Sequence, residues 1–266
     1  MLKPPVTWFG GKARLAQKIT KLFPEHQTYV DVFGGSGAIL LSKKRSGVEV
    51  YNDIDSGLFN LFSVLRDPDL SEKLMLACAM TLYSRREFDL AASPTADPVE
   101  SARRFLVRQR MSRAGLAKQW SYCVADSCGG ISSAAKRWLS GIERLPAIRE
   151  RLRGVQIEST DWRDALQRYD REDTLFYLDP PYVEDKRVSG KYLHEFTLSN
   201  HVELIQAVSK TKGMIVLSGY QCELYDSLES LGWDRVDFSV PAYSSDSRTR
   251  RTESVWRSFN TRSNKT

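Results

Sequence analysis

Cysteine, histidine and long apolar runs are scarce in this sequence. Its 266 residues include four cysteines and three histidines, with no Cys-x-x-Cys pair and no spacing typical of a zinc site. The longest apolar run, residues 74–80, is far shorter than the roughly 20 residues that a membrane-spanning helix needs. The first residues lack the apolar core and cleavage site of a signal peptide. We therefore expect no metal site, no membrane contact, reduced and mostly buried cysteines, and a cytoplasmic location.

The composition is that of an ordinary globular protein rather than a disordered or collagen-like chain. Hydrophobic residues make up 41% of the chain and charged residues 27%. A chain of this length can bury a sizeable core, either as one domain with an insertion or as two unequal lobes. We therefore expect it to fold alone, without the disulfides of a small scaffold.

The positive charge is concentrated in one region. Residues 101–154 hold 12 lysines and arginines against 3 aspartates and glutamates, a net charge of +9, whereas the whole chain carries +6 and the remainder therefore −3. A second basic cluster, SRTRRT, lies at residues 247–252. Such clusters suit a phosphate backbone, because each neutralised phosphate releases counterions. On charge alone, a solvated helix face is the simpler explanation.

Apolar periodicity predicts an α/β fold whose middle is helical. Strands are predicted at residues 29–33, 48–53, 154–159, 174–179 and 213–219. Helices are predicted at 38–44 and 58–67, so the chain opens as βαβα, which favours a parallel sheet. The segments WDRVDFSV and TESVWRSF near the end predict a hairpin. We expect one α/β domain built from residues 1–67 and 155–266, with residues 68–154 as a basic helical insertion.

A glycine-rich turn, FGGSG at residues 33–37, follows the first predicted strand and opens a helix. Such a turn lets a ligand approach the backbone and face the helix N-terminus. NAD is disfavoured, because the dinucleotide fingerprint needs a third glycine where Leu40 stands. Asp53 and Asp55 lie 18 and 20 residues after Gly35, at the end of the next strand, where a carboxylate can bind ribose hydroxyls. This pattern is typical of an adenosine ligand, but a glycine turn followed by a helix-capping aspartate explains it equally well.

The segment WFGGK at residues 8–12 is not a nucleotide-binding P-loop. A Walker A motif needs a glycine and a Ser or Thr where Val6 and Ala13 stand. Trp8, beside two glycines and Lys12, suits stacking on a flat ligand, although a buried tryptophan in a turn is common.

The tetrapeptide Asp179-Pro180-Pro181-Tyr182 directly follows the strand TLFYL. Ligands gather at the carboxyl ends of parallel strands, so this segment should face the same crevice as the glycine turn. The two prolines fix φ and remove two N–H donors, which leaves rigid carbonyl acceptors beside a carboxylate and an aromatic ring. A planar amino group could donate to the Asp179 carboxylate and the Pro180 carbonyl while Tyr182 stacks on the base. The alternative is a strand that simply ends in a Pro-Pro turn.

Taken in order, the motifs resemble those of the Dam-type DNA adenine N6-methyltransferases, which use S-adenosylmethionine. The order WFGGK, FGGSG, YNDID, a basic region, TDW at residues 160–162, DPPY and TESVW extends over nearly the whole chain. The resemblance implies a Rossmann-like, S-adenosylmethionine-dependent methyltransferase sheet with a reversed last strand. It also implies a target-recognition domain inserted before DPPY, where the +9 segment lies, and double-stranded DNA as the substrate.

The resemblance also assigns roles to individual residues. The residues that would contact the cofactor are Trp8, Lys12, Phe33, Gly35, Gly37, Asp53, Asp161, Trp162 and Asp179. Asp53 would hold the ribose hydroxyls, and Asp161 and Trp162 would lie at the adenine. The catalytic segment would be Asp179, Pro180, Pro181 and Tyr182, acting by direct transfer without a metal, on an adenine flipped out of the helix.

The inserted region departs from family members that read GATC. Those carry Asn-Arg followed by Gly-Leu-x-Arg-Tyr-Asn, whereas this chain has Gln109-Arg110 and then GLAKQW at residues 115–120. GATC specificity is therefore not carried over. Because Arg and Lys serve both phosphate contact and guanine readout, the DNA-contact candidates are Arg110, Arg113, Lys118, Arg248 and Arg250.

Four alternatives stay open at this point. The pocket chemistry also fits cytosine N4, an RNA base or a glutamine side chain as the methyl acceptor, and a DNA-binding relic that has lost catalysis would keep the same fold. The partners expected are DNA and, for a restriction-modification role, a cognate restriction endonuclease. We expect the protein itself to act as a monomer.

Overall fold

The computed structural model describes residues 2–124, 127–182, 196–241 and 250–259. Its strands are β1 (Thr28–Asp31), β2 (Val48–Asn52), β3 (Ser127–Cys128), β4 (Ile131–Ser132), β5 (Val155–Glu158), β6 (Thr174–Leu178), β7 (Met214–Gly219), β8 (Asp234–Pro241) and β9 (Arg250–Arg257). Its helices are α1 (Ala16–Thr20), α2 (Ala38–Ser42), α3 (Ser56–Arg66), α4 (Pro68–Ala79), α5 (Arg85–Leu90), α6 (Pro98–Arg110), α7 (Ser133–Ile142), α8 (Leu145–Leu152), α9 (Trp162–Tyr169), α10 (Leu198–Val208) and α11 (Glu223–Ser230).

The predicted strands, the two predicted helices of the opening βαβα unit and the C-terminal hairpin are confirmed, with ends shifted by a few residues. The chain forms two compact units. A helical unit comprises residues 1–14, 35–42 and 55–155, and a sheet unit comprises residues 15–34, 43–54 and 156–266. The helical unit is thus larger than the predicted insertion, because it also takes up the N-terminal segment, α2 and α3. The assignment of residues 68–154 as an inserted domain stays a prediction.

The sheet unit is built on a seven-stranded mixed sheet. Its strand order is β5-β2-β1-β6-β7-β9-β8. β1 pairs in parallel with β2 and β6, and β6 pairs in parallel with β7. β9 runs antiparallel to both of its neighbours, β7 and β8. The four parallel strands therefore end at the same edge, where ligands of α/β sheets bind.

One face of this sheet is apolar and forms the core of the unit. Val30 is paired with Val50 on one side and with Phe176 on the other, and Phe176 is paired with Ile215. All four are fully buried and pack in one cluster with side chains of α9, α10 and α11. Burial of this apolar surface stabilises the sheet by about 25 cal/mol per Å².

The opposite face carries buried polar side chains, which explains the acidic break in the first predicted strand. Asp31 alternates with Val30 and so lies on this second face, together with Tyr29. Burial, reinforced by the Asp31 carboxylate, raises the pKa of Tyr29. Lys43 pairs with Glu49 at 2.7 Å, and its Nζ lies 4.5 Å from the Tyr29 ring centroid. A buried charge pair of this kind is tolerated because each charge has a partner.

In the helical unit, part of the basic charge is used internally. α6 packs against α3, α4 and α5. Arg103 of α6 donates to Glu100 at 2.7 Å and to Glu87 at 2.9 Å, and Arg104 donates to Glu100 at 2.7 Å. These hydrogen bonds, Arg103 first, lower the pKa of Glu100 to about 2. The net charge of +9 therefore overstates the number of arginines that face a ligand.

Arg110, a predicted DNA contact, is placed in a structural role. Its guanidinium donates to the Pro5 carbonyl at 2.8 Å and to the Arg137 carbonyl. It packs so closely on Gly141 that a Cβ there would lie 2.0 Å from Arg110 Cζ. Burial lowers the pKa of Arg110 to about 10. Arg110 thus ties α6 to the N-terminal segment and to α7, which favours structure over the predicted DNA contact.

Replacing Arg110 should therefore destabilise the protein. Arg110→Ala removes hydrogen bonds from a charged donor to two carbonyls, and we expect a loss of about 2–4 kcal/mol in the free energy of unfolding. Urea denaturation of the variant measures this loss. Arg113→Ala is the matched control, since Arg113 is exposed and its removal should change stability by about 0.5 kcal/mol or less. Equal stabilities for the two variants would contradict the structural role.

Candidate active site

The end of β1 leads into the glycine turn through a close contact with β2. The N–H of Gly34 donates to the Asn52 carbonyl at 2.8 Å. A Cβ at Gly34 would lie 2.2 Å from Cε2 of Tyr51, so a glycine is needed here because the backbone passes directly over this ring. Phe33, one residue earlier, is half-buried and meets Phe196 edge to face at a centroid distance of 5.6 Å.

The buried side chain of Asn52 joins three segments at the carboxyl edge of the sheet. Its Nδ2 donates to the Val32 carbonyl at 2.9 Å and to the Thr160 carbonyl at 3.1 Å. Its Oδ1 accepts from the N–H of Thr160 at 3.0 Å and from the Thr160 hydroxyl at 3.3 Å. The residues that follow these three segments are Phe33, Asp53 and Asp161, which are all predicted cofactor contacts. Asn52 therefore fixes the relative positions of the three.

The structure separates the two acidic candidates that follow β2. Asp55 caps α3, where its Oδ1 accepts from the N–H groups of Gly57 at 2.8 Å and Leu58 at 3.1 Å. Asp53 is half-buried and lies before the helix, directly after Asn52. The helix-capping explanation therefore applies to Asp55, and Asp53 is the better candidate for a ligand contact.

The TDW segment places an acid and an indole at the start of α9. Asp161 caps this helix by accepting from the N–H of Arg163 at 2.9 Å. The Arg163 guanidinium binds both oxygens of Asp161, at 2.9 and 3.0 Å, and also pairs with Glu203. It lies 4.5 Å over the Trp162 ring, a cation–π contact. The Trp162 ring also contacts the Phe196 ring, with a centroid distance of 6.2 Å, and Phe196 contacts Phe33 as well.

The DPPY segment begins where β6 ends. Asp179 and Pro181 are half-buried, and Pro180 and Tyr182 are buried. The Tyr182 hydroxyl donates to the Glu253 carboxylate, with distances of 3.1 and 3.3 Å to its two oxygens. The Tyr182 ring stacks on Tyr220 at 4.3 Å with an interplanar angle of 29°. Tyr182 is only 7% exposed, so the ring that was predicted to stack on a base already has an aromatic neighbour.

The helical unit brings two of the predicted cofactor residues into contact. Gly35 has φ +49° and Gly37 has φ +70°, both in the left-handed region that favours glycine. A Cβ at Gly35 would lie 2.9 Å from Nε1 of Trp8, so the indole packs directly on this glycine. Lys12 is buried, and its Nζ donates to the Gly10 carbonyl at 3.2 Å.

The loop after α6 is fastened to the N-terminal segment of the same unit. With its amide oriented to donate, Gln109 reaches the carbonyls of Gly115 at 2.8 Å and Thr7 at 3.0 Å. A Cβ at Gly115, whose φ is +71°, would lie 2.4 Å from the Thr7 oxygen. This fastening leaves Arg113 and Lys118 exposed on the loop.

Of the two predicted DNA contacts near the C-terminus, Arg250 and Arg248, the structure describes Arg250. Arg250 is exposed and donates to the hydroxyl of Ser239 at 2.6 Å and to its carbonyl at 3.2 Å, across the β8–β9 hairpin. Arg248 lies outside the described residues. Both stay predictions as DNA contacts.

Comparison with known proteins identifies the family. The family model for D12 class N6 adenine-specific DNA methyltransferases matches residues 8–254. The chain belongs to this family. It is 25% identical over 234 residues to the DNA adenine methylase of Haemophilus influenzae, over 81% of this chain and 78% of the relative. It is 26% identical over 231 residues to the Type II methyltransferase M1.LlaDCHI of Lactococcus lactis subsp. cremoris, over 81% of this chain and 80% of the relative.

The resemblance seen in the motifs is therefore confirmed, and the enzyme is an adenine-specific DNA methyltransferase of the D12 class. In the part of the chain that the structure describes, every helix is too short or too polar to cross a bilayer. Among the same residues, no group of three or more His, Cys, Asp or Glu side chains is arranged to hold a metal ion.

Sequence reasoning missed four residues that contact the predicted site residues or the segments that carry them: Asn52, Arg163, Tyr220 and Glu253. Three of them stand beside predicted motifs or within them, namely in YNDID, after TDW and in TESVW. Asn52 and Glu253 contact residues from distant parts of the chain, so the local pattern carries no sign of these contacts. Arg163 contacts Asp161, two residues before it, and also the distant Glu203. Tyr220 directly follows the predicted strand at residues 213–219, and this position at the carboxyl end of a strand was the one signal that it could lie near the site.

Loss of the Asn52 side chain should weaken cofactor binding by this methyltransferase. Asn52→Ala removes the hydrogen bonds that hold Val32 and Thr160, and we expect the affinity for S-adenosylhomocysteine to fall about tenfold, or about 1.4 kcal/mol. Isothermal titration calorimetry measures this change. The control is Asn60→Ala, which removes the hydrogen bond from Asn60 of α3 to the Pro98 carbonyl at the start of α6 and should leave the affinity unchanged. An unchanged affinity in Asn52→Ala would show that Asn52 does not organise the pocket.

Proposed function

We propose that this protein transfers a methyl group from S-adenosylmethionine to the exocyclic N6 of an adenine flipped out of duplex DNA. The observation that carries the proposal is the rigid Asp179–Tyr182 segment at the carboxyl end of β6, in a chain that matches the D12 class. The antiparallel strand β9, in the position next to β7, supports a methyltransferase sheet with a reversed last strand.

The side chains at the edge of the sheet unit suit the adenosine part of this cofactor. Asp53 offers a half-buried carboxylate for the ribose hydroxyls. Phe33 and Trp162, which share Phe196 as a neighbour, offer aromatic surface for the adenine. Asp161 would contact the adenine while Arg163 holds its carboxylate in place. For Trp8, Lys12, Gly35 and Gly37 the role in cofactor binding rests on the family resemblance.

The reaction needs the target amino group to be held with its lone pair toward the methyl group. Asp179 and the Pro180 carbonyl are both acceptors, so together they would bind the two N–H bonds of the amino group and fix its orientation. The consecutive prolines keep these acceptors in place, since φ is fixed at both positions. Bound S-adenosylmethionine supplies an electrophilic methyl group on a sulfonium. In this proposal Asp179 would accept the proton that the amino nitrogen loses once it carries the methyl group.

The helical unit supplies the DNA contacts in this proposal. Residues 68–154 form the target-recognition domain, and the exposed Arg113 and Lys118 contact phosphates or base edges. Trp120 and the exposed Tyr122 stack at 5.8 Å shortly after Lys118, and Arg85 lies 4.7 Å over the Trp120 ring. Cationic and aromatic side chains together suit nucleic acid. A cytoplasmic location and action as a monomer complete the proposal.

The family match favours adenine over the other acceptors. Cytosine N4, an RNA base and a glutamine side chain share the pocket chemistry, but the family is described as N6 adenine-specific. One of the relatives carries the name of a Type II methyltransferase, which favours a cognate restriction endonuclease as a partner in the cell. The intact DPPY segment disfavours an inactive DNA-binding relic.

Asp179→Ala should abolish methylation without unfolding the protein. We expect single-molecule sequencing of DNA from a methylation-deficient host to find modified adenines in one short motif when the wild-type protein is expressed. With Asp179→Ala no modification should remain, because the amino group loses its charged acceptor. The control Asp164→Ala removes an exposed carboxylate from α9 and should methylate normally. Methylation by Asp179→Ala would refute the role of Asp179.

Loss of Arg113 or Lys118 should reduce the salt dependence of DNA binding. If each contacts one phosphate, each alanine variant should make the negative slope of log K against log salt shallower by about 0.9. Fluorescence anisotropy of a labelled duplex between low and moderate salt measures the slope. Lys210→Ala, which removes an exposed lysine from the turn after α10, is the control and should keep the wild-type slope. Unchanged slopes for Arg113→Ala and Lys118→Ala would place the DNA elsewhere.

A further inference from the structure

Two side chains to which the motifs assign no role hold Tyr182 in place. Glu253 of β9 is 4% exposed, and its carboxylate accepts a hydrogen bond from the Tyr182 hydroxyl at 3.1 Å. Tyr220, the residue after β7, stacks on the Tyr182 ring at 4.3 Å. The first contact fixes the far edge of the ring and the second fixes its plane.

The fold explains why these contacts converge. β6, β7 and β9 are neighbours in the sheet, and Gly219 is paired with Ser254. Tyr220 and Glu253 are the chain neighbours of that pair, so they lie side by side next to the end of β6, from which the DPPY segment leaves. Behind Tyr220, the guanidinium of Arg251 lies 5.9 Å from its ring centroid. The column Arg251, Tyr220 and Tyr182 is thus built from three strands.

The backbone around Tyr182 adds a third constraint. Pro181 fixes φ directly before it, so the ring has few ways to turn once its hydroxyl and one face are engaged. A catalytic segment needs this stiffness, because a displacement of about 1 Å can cost about 100-fold in rate. Removal of a contact to Tyr182 should therefore slow the methyl transfer more than it weakens cofactor binding.

We propose that Glu253 and Tyr220 are positioning residues, which act on the target-base step by holding Tyr182. This proposal rests on the proposed function. Since the Tyr182 hydroxyl is engaged by Glu253, the ring and not the hydroxyl is the part that serves the base. The two residues touch neither the cofactor nor the reacting atoms in this scheme.

Variants of Glu253 separate positioning from general stability. We expect Glu253→Ala to lower the single-turnover methylation rate about 10- to 100-fold while the affinity for S-adenosylhomocysteine and the KM for DNA change little. Glu253→Gln should restore much of the rate, because its amide oxygen can still accept from the Tyr182 hydroxyl. Tyr220→Phe should retain the stack and the wild-type rate more fully than Tyr220→Leu, which loses the ring.

A matched control comes from a second tyrosine–glutamate pair. The Tyr169 hydroxyl donates to Glu158 at 2.7 Å, at the far end of α9 from the TDW segment. Tyr169→Phe removes a hydrogen bond of the same kind and should keep the wild-type rate. Tyr182→Phe removes only the hydroxyl that Glu253 holds, so it should show the slow rate that we expect of Glu253→Ala. It therefore tests the same contact even if the alanine variant does not fold.

The outcomes separate this proposal from the proposed function. A wild-type protein that methylates no DNA would refute the proposed function itself. An active wild-type protein whose Glu253→Ala and Tyr182→Phe variants keep its rate would overturn the positioning role alone. A rate loss in Glu253→Ala that Gln does not rescue, matched by an equal loss of S-adenosylhomocysteine affinity, would also overturn it in favour of a general structural role.

Discussion

The amide of Asn52 holds together the edge of the sheet on which the site depends. It binds the end of β1 and the segment before α9 at once, through Val32 and Thr160. Parallel pairing brings these ends to one edge, but pairing alone leaves the connecting loops free to diverge. A buried amide whose donor and acceptor sides are both used fixes them, because leaving either side unpaired would cost free energy. Phe33, Asp53 and Asp161 take their positions from this one side chain.

A second group of contacts fixes the proposed catalytic segment rather than the proposed cofactor pocket. Tyr182 is held by Glu253 of β9 and by Tyr220, the residue after β7, which both follow it in the chain. The site therefore has two separate supports. This division makes physical sense for a transferase, in which the donor and the acceptor must be oriented independently before the two can react.

Much of the fold was predictable, because the strands of the sheet are short apolar runs with turn residues at their ends. The site was predictable only where motifs are local. FGGSG, YNDID and DPPY each combine a turn and a candidate ligand residue within a few positions, so the sequence alone reveals them. Asn52 contacts Thr160 and Glu253 contacts Tyr182 across long stretches of chain, so the sequence does not reveal these contacts. Arg110 shows the opposite difficulty, and its DNA contact stays a prediction. Its place among other basic residues suggested DNA, yet its guanidinium is used by the Pro5 and Arg137 carbonyls, which no charge count reveals.

The identity of the methylated atom tests the central claim most directly. The measurement is mass spectrometry of nucleosides from duplex DNA incubated with the purified protein and S-adenosylmethionine that carries a deuterated methyl group. The label should appear in N6-methyldeoxyadenosine alone. Label in N4-methyldeoxycytidine would contradict the assignment of adenine N6 as the acceptor. The absence of any label in the DNA, when the protein is folded and binds the cofactor, would contradict it as well.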